Sequence, residues 1–328
     1  MYPDDMPPSV SKVTSLLVVS LGGLGDFVTR WPLWQSFRRS FPGARIAYLG
    51  YPRHACLLRG AGLCDEALQF DAPRWAAPEK CPRVFDIVVS ALGGRGADWA
   101  ERLKTAAGAS RLLSLEPFPP AEARISVGAH IDAQIRASGL ADPGPLRCGL
   151  PADAVAWAAA WRGARGLSCA ETVAIHPGSG SEGKNWPRER YEALASSLAG
   201  SGTRVLVFRG DAERDRGERA WSDMPGVVHA SGFDVAQAAA LLSGCRHYVG
   251  NDSGISHLAA LLGVPSAVIF GPTDPAVWAP RGKRVTVVTG RAACAPCGTE
   301  GMRECRDRLC LAEIGVGEVK EKCEGCEG

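Results

Sequence analysis

Short apolar runs suited to buried strands alternate with stretches of helical period along most of the 328-residue chain, and this alternation restricts the fold more than any other feature. In the first half the strand-like runs are 15–20, 45–49, 67–70, 85–91 and 111–115, with amphipathic stretches such as 26–40 and 125–138 between them. The Pro- and Gly-rich linker ADPGPLRCGLP follows at 141–151, and then a helix rich in Ala and Trp at 152–165. The rhythm restarts with strands at 172–176, 204–208, 227–230, 246–249, 266–270 and 284–288. Apolar strands separated by helices need a parallel sheet covered on both faces. The expectation is therefore α/β, with two doubly wound domains at 1–150 and 151–290 and a cysteine-rich tail at 291–328. Length agrees, because single cores stop growing beyond roughly 250–300 residues.

A formal net charge of +2 argues against a dedicated nucleic-acid binder, whose footprint is strongly basic. No apolar run reaches the roughly 18 residues of a membrane span, and the opening MYPDDMPPSVSK lacks a basic-then-apolar leader, so a cytosolic protein is expected. Of 12 cysteines, six crowd into 294–326, which in such a compartment points to a metal or redox site before disulfides. The pairs are Cys294-x2-Cys297, Cys305-x4-Cys310 and Cys323-x2-Cys326. Their spacing suits structural zinc or an iron–sulfur cluster, with Cys294, Cys297, Cys305 and Cys310 as ligands; plain reduced thiols and disulfides are the alternatives.

Ligands of such sheets bind outside the carboxyl ends of the strands, so the loops leaving strands carry the chemistry. SLLVVSLGGLGDFVTRWP at 15–32 is a strand, a glycine turn containing Gly25, and a helix opening near Asp26. It fits a dinucleotide fingerprint poorly, since Val28 takes the third glycine's place and no acid ends the next strand. What remains is Asp26, either a helix N-cap or an acid presented at the mouth of the sheet.

TVAIHPGSGSEGKNWP at 172–187 places Ser179, Ser181 and one cation, Lys184, just past a strand, without Walker order. Small hydroxyls, free backbone N–H groups and a lysine suit a phosphate; a surface turn is the alternative. Beyond the strand in RVLVFRGDAERDRGE, Glu213 or Asp215 could accept from ribose hydroxyls, with Glu213 preferred. HYVGNDSGISHLAALLGVPSAVIFGPT at 247–273 reads as strand, small-residue turn, helix at 256–262 and second strand. The first N–H groups of that helix have no intrahelical partner and carry about half a positive charge, so a diphosphate fits beside Asp252, Ser253 and Gly254. The alternative there is an ordinary turn with Asp252 or Ser253 as N-cap. His257, one turn into the helix, either contacts the ligand or caps a loop in the core.

LGGLGDFVTRWPLWQSFRRSFPGARI, HPGSGSEGKNWP and VGNDSGISHLAALLGVPSAVIFGPTDP, in that order, resemble glycosyltransferase family 9, the ADP-heptose:lipopolysaccharide heptosyltransferases, from about 15 to 289. The resemblance implies a GT-B fold, two Rossmann-like domains facing across a cleft, with the donor held mainly by the second and the acceptor by the first. It makes Asp26 the general base, Lys184 the phosphate-binding lysine, Asp252, Ser253, Gly254 and His257 the diphosphate cradle, and Glu213 the best match for the ribose acid. Gly25, Ser179 and Ser181 join the donor-binding set. It further implies an ADP-heptose donor, a hydroxyl of a lipopolysaccharide-core or related glycan as acceptor, inversion at the anomeric carbon, no cofactor for transfer, and peripheral contact with the inner membrane surface. No Asp-x-Asp loop is present to hold a divalent ion against phosphates. One departure stands out: Gly22 and Gly23 replace small hydroxyl residues that the family often shows before its Gly-Asp pair. A non-catalytic sugar-nucleotide sensor and a sugar-nucleotide epimerase are the rival readings on the same architecture.

Overall fold

The computed structural model describes residues 13–70, 83–210 and 223–325. The chain divides into two compact units, Met1–Pro151 and Ala152–Gly328.

The first unit is built on a five-stranded parallel sheet of order β3-β2-β1-β4-β5. Its strands are β1 (Ser15–Val19), β2 (Arg45–Gly50), β3 (Glu66–Gln69), β4 (Ile87–Ser90) and β5 (Arg111–Ser114). Helices α1 (Leu24–Thr29), α2 (Trp31–Ser40), α3 (Pro52–Gly60) and α4 (Ala97–Ala106) lie between them in the chain, and α5 (Val127–Ala137) follows β5. β1 is central, and its Leu16, Leu17 and Val19 are wholly buried, as both faces of a parallel sheet must be covered. One face packs Leu17, Val19, Val88 and Leu103 together; on the other, Trp34 meets Tyr48 edge-on at 5.4 Å between ring centroids. Burying each such large side chain contributes roughly 1.5–3 kcal/mol.

The amphipathic stretch expected as one helix at 26–40 is two, broken at Arg30. Pro32 has no N–H for a carbonyl four residues back and its ring crowds that carbonyl, so a helix can restart there but not pass through.

The second unit carries a six-stranded parallel sheet of order β11-β10-β9-β6-β7-β8. The strands are β6 (Thr172–His176), β7 (Arg204–Arg209), β8 (Val227–Ser231), β9 (His247–Asn251), β10 (Ser266–Phe270) and β11 (Val285–Thr289). The described helices are α6 (Ala152–Gly163), α7 (Arg188–Gly200), α8 (Val235–Leu242), α9 (Gly254–Leu261), α10 (Pro275–Trp278), α11 (Gly298–Glu304), α12 (Leu309–Ala312) and α13 (Val316–Glu324). Counted from its first strand, this is the six-stranded order of a dinucleotide-binding sheet, 3-2-1-4-5-6; the first unit has the same order without the last strand.

The stretch from 291, read from sequence as a separate cysteine-rich tail, is part of the second core. Cys310, Leu311, Ile314, Val319 and Cys323 are buried against Val173, Ile175, Trp186 and Tyr191. Trp186 Nε1 donates to the Ile314 carbonyl at 3.1 Å, and Arg190 donates to the Ala312 carbonyl at 2.7 Å. Helical spacing of apolar residues decides this, and Cys323 serves there as a small hydrophobe. No described helix is long and apolar enough to cross a membrane.

Candidate functional site

In each sheet the strand order reverses beside the first strand, between β1 and β4 and between β6 and β9. A ligand crevice opens outside the carboxyl ends of strands at such a point. The loops that sequence singled out leave β1, β6 and β9.

In the second unit β6 ends at His176 and the chain enters the Ser179–Lys184 loop. Ser179, nearly buried, accepts the Ser181 N–H at 3.2 Å and lies 2.7 Å from both the Ser181 carbonyl and Asn185 Oδ1. Its single proton can satisfy one of these at a time. A short turn then presents Lys184, whose Nζ stands 2.8 Å from Asp252 Oδ2. Asp252 is buried at the end of β9 and takes a second hydrogen bond from Thr273 Oγ1 at 2.8 Å. The lysine is the more open partner, with its side chain 27% exposed against 7% for the carboxylate. Lys184 and Asp252, two separate ligand candidates in the sequence, are thus one ion pair. A carboxylate does not bind phosphate directly; here it fixes the position of the cation that can.

Asn251, wholly buried beside Asp252, was not foreseen. Its Nδ2 donates to the Pro177 carbonyl at 2.6 Å, and its Oδ1 accepts from Trp186 N–H and Tyr191 O–H, each at 2.9 Å. One amide therefore ties both ends of the β6 loop to β9. Its type and position carry no periodicity, so only the register of β6 against β9 could reveal it.

Past Asp252, Ser253 is the N-cap of α9 and accepts from the Ser256 N–H. The helix begins at Gly254, two residues earlier than expected, because Ser253 caps it in extended conformation. Ser256 is itself tied to the Asn251 carbonyl and to Tyr248 O–H, so the turn is anchored in the core. The N–H groups of Gly254 and Ile255 precede the first intrahelical bond and constitute the anion-attracting end. His257 is buried in this first turn, its own N–H bonded to the Ser253 carbonyl at 3.2 Å.

Next to these loops lies a cavity of about 140 Å³ at the carboxyl ends of β6, β7 and β8. Phe208, Ala230, Phe233 and Ile255 give it apolar walls, with Arg209 and Asp234 at its polar edge. Phe233 is fixed from behind by Trp157 and Trp161, at 4.9 and 5.5 Å between ring centroids. A flat, partly polar heterocycle suits such a space. Phe233 and Asp234 lie outside the motifs singled out in the sequence, where the Asp234–Gln237 capping box is the local signal. Glu213 and Asp215 lie outside the described residues.

In the first unit, Asp26 sits in the first turn of α1, half-exposed, and its Oδ2 accepts the Gly23 N–H at 2.9 Å. Gly22 has φ +124°, and a Cβ there would lie 2.5 Å from that same oxygen. Glycine at 22 is thus what lets the carboxylate fold back on the turn, which accounts physically for that glycine, though not for Gly23, in the departure from the family pattern. Gly25 is the second residue of α1. Below the turn, the buried Arg30 donates to the Leu21 carbonyl at 2.6 Å and to Ser20 Oγ at 3.1 Å. Burial pulls its basicity down, and the nearby Asp26 charge works in the opposite direction. His54 stacks on Phe27 with ring centroids 4.7 Å apart. Burial, and then the Arg53 charge, pull its pKa down to about 4, so it is neutral near pH 7 and does not compete as a cation.

Cys294, Cys297, Cys305 and Cys310 share one neighbourhood: burial raises the Cys310 pKa first, and the other three sulfurs add to the shift. Gly298 has φ +69°, and the Arg308 N–H points at Cys305 Sγ at 3.4 Å, a donor that suits a thiolate. Yet among the described residues no three His, Cys, Asp or Glu side chains converge on one ion position. Cys326 lies outside the described residues.

Residues 156–306 match the family model for glycosyltransferase family 9 (heptosyltransferase). Lipopolysaccharide heptosyltransferase 1 of Pseudomonas aeruginosa is 33% identical over 115 residues, 35% of this chain and 32% of that one. The chain thus matches about a third of the length of such curated relatives. Among solved structures, the glycosyl transferase family 9 protein of Veillonella parvula superposes with a TM-score of 0.80 at 18% identity, covering 98% of both chains. The E. coli ADP-heptose lps heptosyltransferase II superposes with a TM-score of 0.73 at 17% identity, covering 95% of this chain and 98% of that one. At these identities the superpositions show the fold, that of the two-domain GT-B enzymes. By sequence it is the second unit of the chain, over residues 156–306, that is similar to glycosyltransferase family 9.

Proposed function

We propose that this protein is an inverting glycosyltransferase whose second unit holds a nucleotide-sugar donor, ADP-heptose by analogy with its relatives. The acceptor is a hydroxyl of a lipopolysaccharide-core or related glycan. The observation that carries this reading is the Lys184–Asp252 pair, held 2.8 Å apart beside the capped start of α9. A lysine already neutralised by a buried carboxylate costs little while the site lacks phosphate, and is held in place for negative charge when it develops. The apolar cavity by Phe208 and Phe233 takes the base, and Glu213 is retained as a ribose contact.

The chemistry follows from these groups. Asp26 takes the proton from the acceptor hydroxyl as its oxygen attacks the anomeric carbon from the face opposite the diphosphate, which inverts configuration. As the glycosidic bond to the diphosphate breaks, electron density moves onto phosphate oxygens. Lys184 and the N–H groups at Gly254 and Ile255 stabilise that charge increasingly toward the transition state. Side chain and helix terminus supply the positive charge that a divalent ion supplies elsewhere, so transfer needs no cofactor. The protein works in the cytoplasm, in peripheral contact with the inner membrane surface where its acceptor is made.

A thermal-shift panel tests the donor half. ADP at about a hundred times its dissociation constant adds about 2.7 kcal/mol to stability and raises Tm, while UDP and GDP leave it unchanged. Unchanged product formation by Asp26→Ala refutes the catalytic half and leaves a nucleotide-sugar sensor. For the cysteines we propose a structural site for zinc or an iron–sulfur cluster, with no part in transfer. Metal analysis of aerobically and anaerobically purified protein is expected to find stoichiometric metal in at least one preparation, and its absence from both removes the assignment.

A further inference from the structure

The first unit contains a second cavity, of about 330 Å³, at the amino ends of its strands and therefore at the end of the sheet away from the Asp26 turn. The strand register builds its floor. Leu16 of β1, Ile87 of β4 and Arg111 of β5 form one row across the sheet, and Val89 and Leu113 form the next. These residues are on the face opposite Leu17 and Val88, beneath the last turns of α2 and α5. Phe37, Phe41 and Leu140 close the roof.

The wall is firmly built. After α5 the chain turns at Gly139, with φ +65° and the Leu140 N–H on the Ile135 carbonyl at 3.1 Å. It then runs back along α2, where the Ala141 N–H bonds Ser40 Oγ at 2.8 Å and the Ala141 carbonyl accepts from Ser36 Oγ. The polar groups of this strap are thereby satisfied, and what faces the space is mainly hydrocarbon.

Two cations stand at its edge. Arg39 is exposed and Arg111 half-buried, and neither side chain has a hydrogen bond or ion pair among the described residues. The C-termini of α2 and α5 bring about −0.5 elementary charge each to this end of the unit. The charged side chains of the lining are both guanidiniums, over an apolar interior. The volume equals about eleven waters at ~30 Å³ each, and a methylene needs a similar share, so the space takes roughly ten carbons of a single chain.

We propose that this cavity binds a single-chain amphiphile with a phosphate monoester head, its alkyl chain lying over Ile87 and Leu113 and its head between Arg39 and Arg111. Two guanidiniums match a phosphate dianion better than a neutral headgroup. The proposal does not depend on the transfer reaction, since the site needs neither Asp26 nor Lys184.

The probe is decyl phosphate below its micellar concentration, titrated into the full chain by calorimetry, with inorganic phosphate and decyl maltoside as controls. Saturable 1:1 binding of decyl phosphate is expected, at least tenfold tighter than either control. The double variant Arg39→Glu/Arg111→Glu, both at accessible positions, should weaken binding at least tenfold with Tm preserved. Leu113→Trp, which fills the space, should abolish it; should that variant fail to fold, the charge variant decides. Decyl maltoside binding as tightly as decyl phosphate, or the charge variant binding like wild type, overturns the proposal. Asp26→Asn binding decyl phosphate normally separates this outcome from any failure of the transferase reading.

Discussion

The two units share one strand order and place candidate loops after the same strand, yet the loops are built on opposite principles. In the second unit the candidate cation is closed into a network: Lys184 on Asp252, Asp252 on Thr273, and both ends of the Lys184 loop on Asn251. In the first, Asp26 sits half-exposed on a glycine turn, with one oxygen on the Gly23 N–H and no hydrogen bond to the other among the described residues. The contrast matches the two tasks proposed for these groups. A group that must meet a charge of fixed position gains from rigidity, because no reorganisation is needed at the moment of reaction. A group that must receive a proton has to keep a lone pair accessible. The glycines at 22 and 23 provide that access at the cost of order, and the buried Arg30 restores some of it from below.

Substitutions can break this contrast, and the largest effect belongs to the open acid. Asp26→Asn keeps the acceptor for Gly23 but removes the base, so turnover should fall by about 10²–10⁴-fold with ADP affinity unchanged. Calorimetry with ADP beside a transfer assay reads both, and a matching loss of ADP affinity would mean that Asp26 belongs to the donor site. Lys184→Met should lower turnover by about 10²–10³-fold and weaken ADP as well. Because it strands the buried Asp252, it should also lower Tm, and adding Asp252→Asn should recover Tm without recovering turnover. Recovery of turnover would sink the phosphate role of Lys184.

Asn251→Ala sharpens the comparison further. It orphans the Pro177 carbonyl, the Trp186 N–H and the Tyr191 hydroxyl, at about 1–3 kcal/mol for each group that water cannot reach. Urea denaturation should show a loss of several kcal/mol, and a loss below about 0.5 kcal/mol would show that the β6 loop is held by other contacts. The smallest effect, silent at neutral pH, concerns His54. Its pKa in the folded chain, about 4, lies below the ordinary 6.5, so the unfolded chain binds more protons between those values. The resulting stability is complete above pH 6.5 and is lost as pH falls toward 4, by roughly 3 kcal/mol. His54→Phe preserves the stack on Phe27 and should flatten the stability profile across that window; an unchanged profile would place the titration elsewhere.

Much of this was legible beforehand for an identifiable reason. Strands buried on both faces are written as unbroken apolar runs, so β1, β6, β9 and β10 fell within a residue or two of their expected places. Asp26, Ser179, Lys184 and Ser253 stood out as candidates because glycine and small residues at strand ends have few uses besides turns and ligands. Asn251, Thr273, Arg30 and Phe233 were not, since each acts through a partner 9 to 76 residues away and leaves no periodic trace. The residues beyond 291 misled in the other direction. Their cysteines drew attention, while Leu311, Ile314 and Val319 quietly supplied the face that packs on β9 and α7.

Sequence by itself determined the alternation of strand and helix, the helix break forced by Pro32, and the capped helix start after β9, because these rest on local backbone chemistry. Tertiary structure alone decided that Lys184 and Asp252 are one ion pair, that a single amide binds the β6 loop to β9, and that Arg39 and Arg111 share the mouth of one cavity. Each of those depends on strand order and register, which bring together side chains that the covalent chain holds far apart.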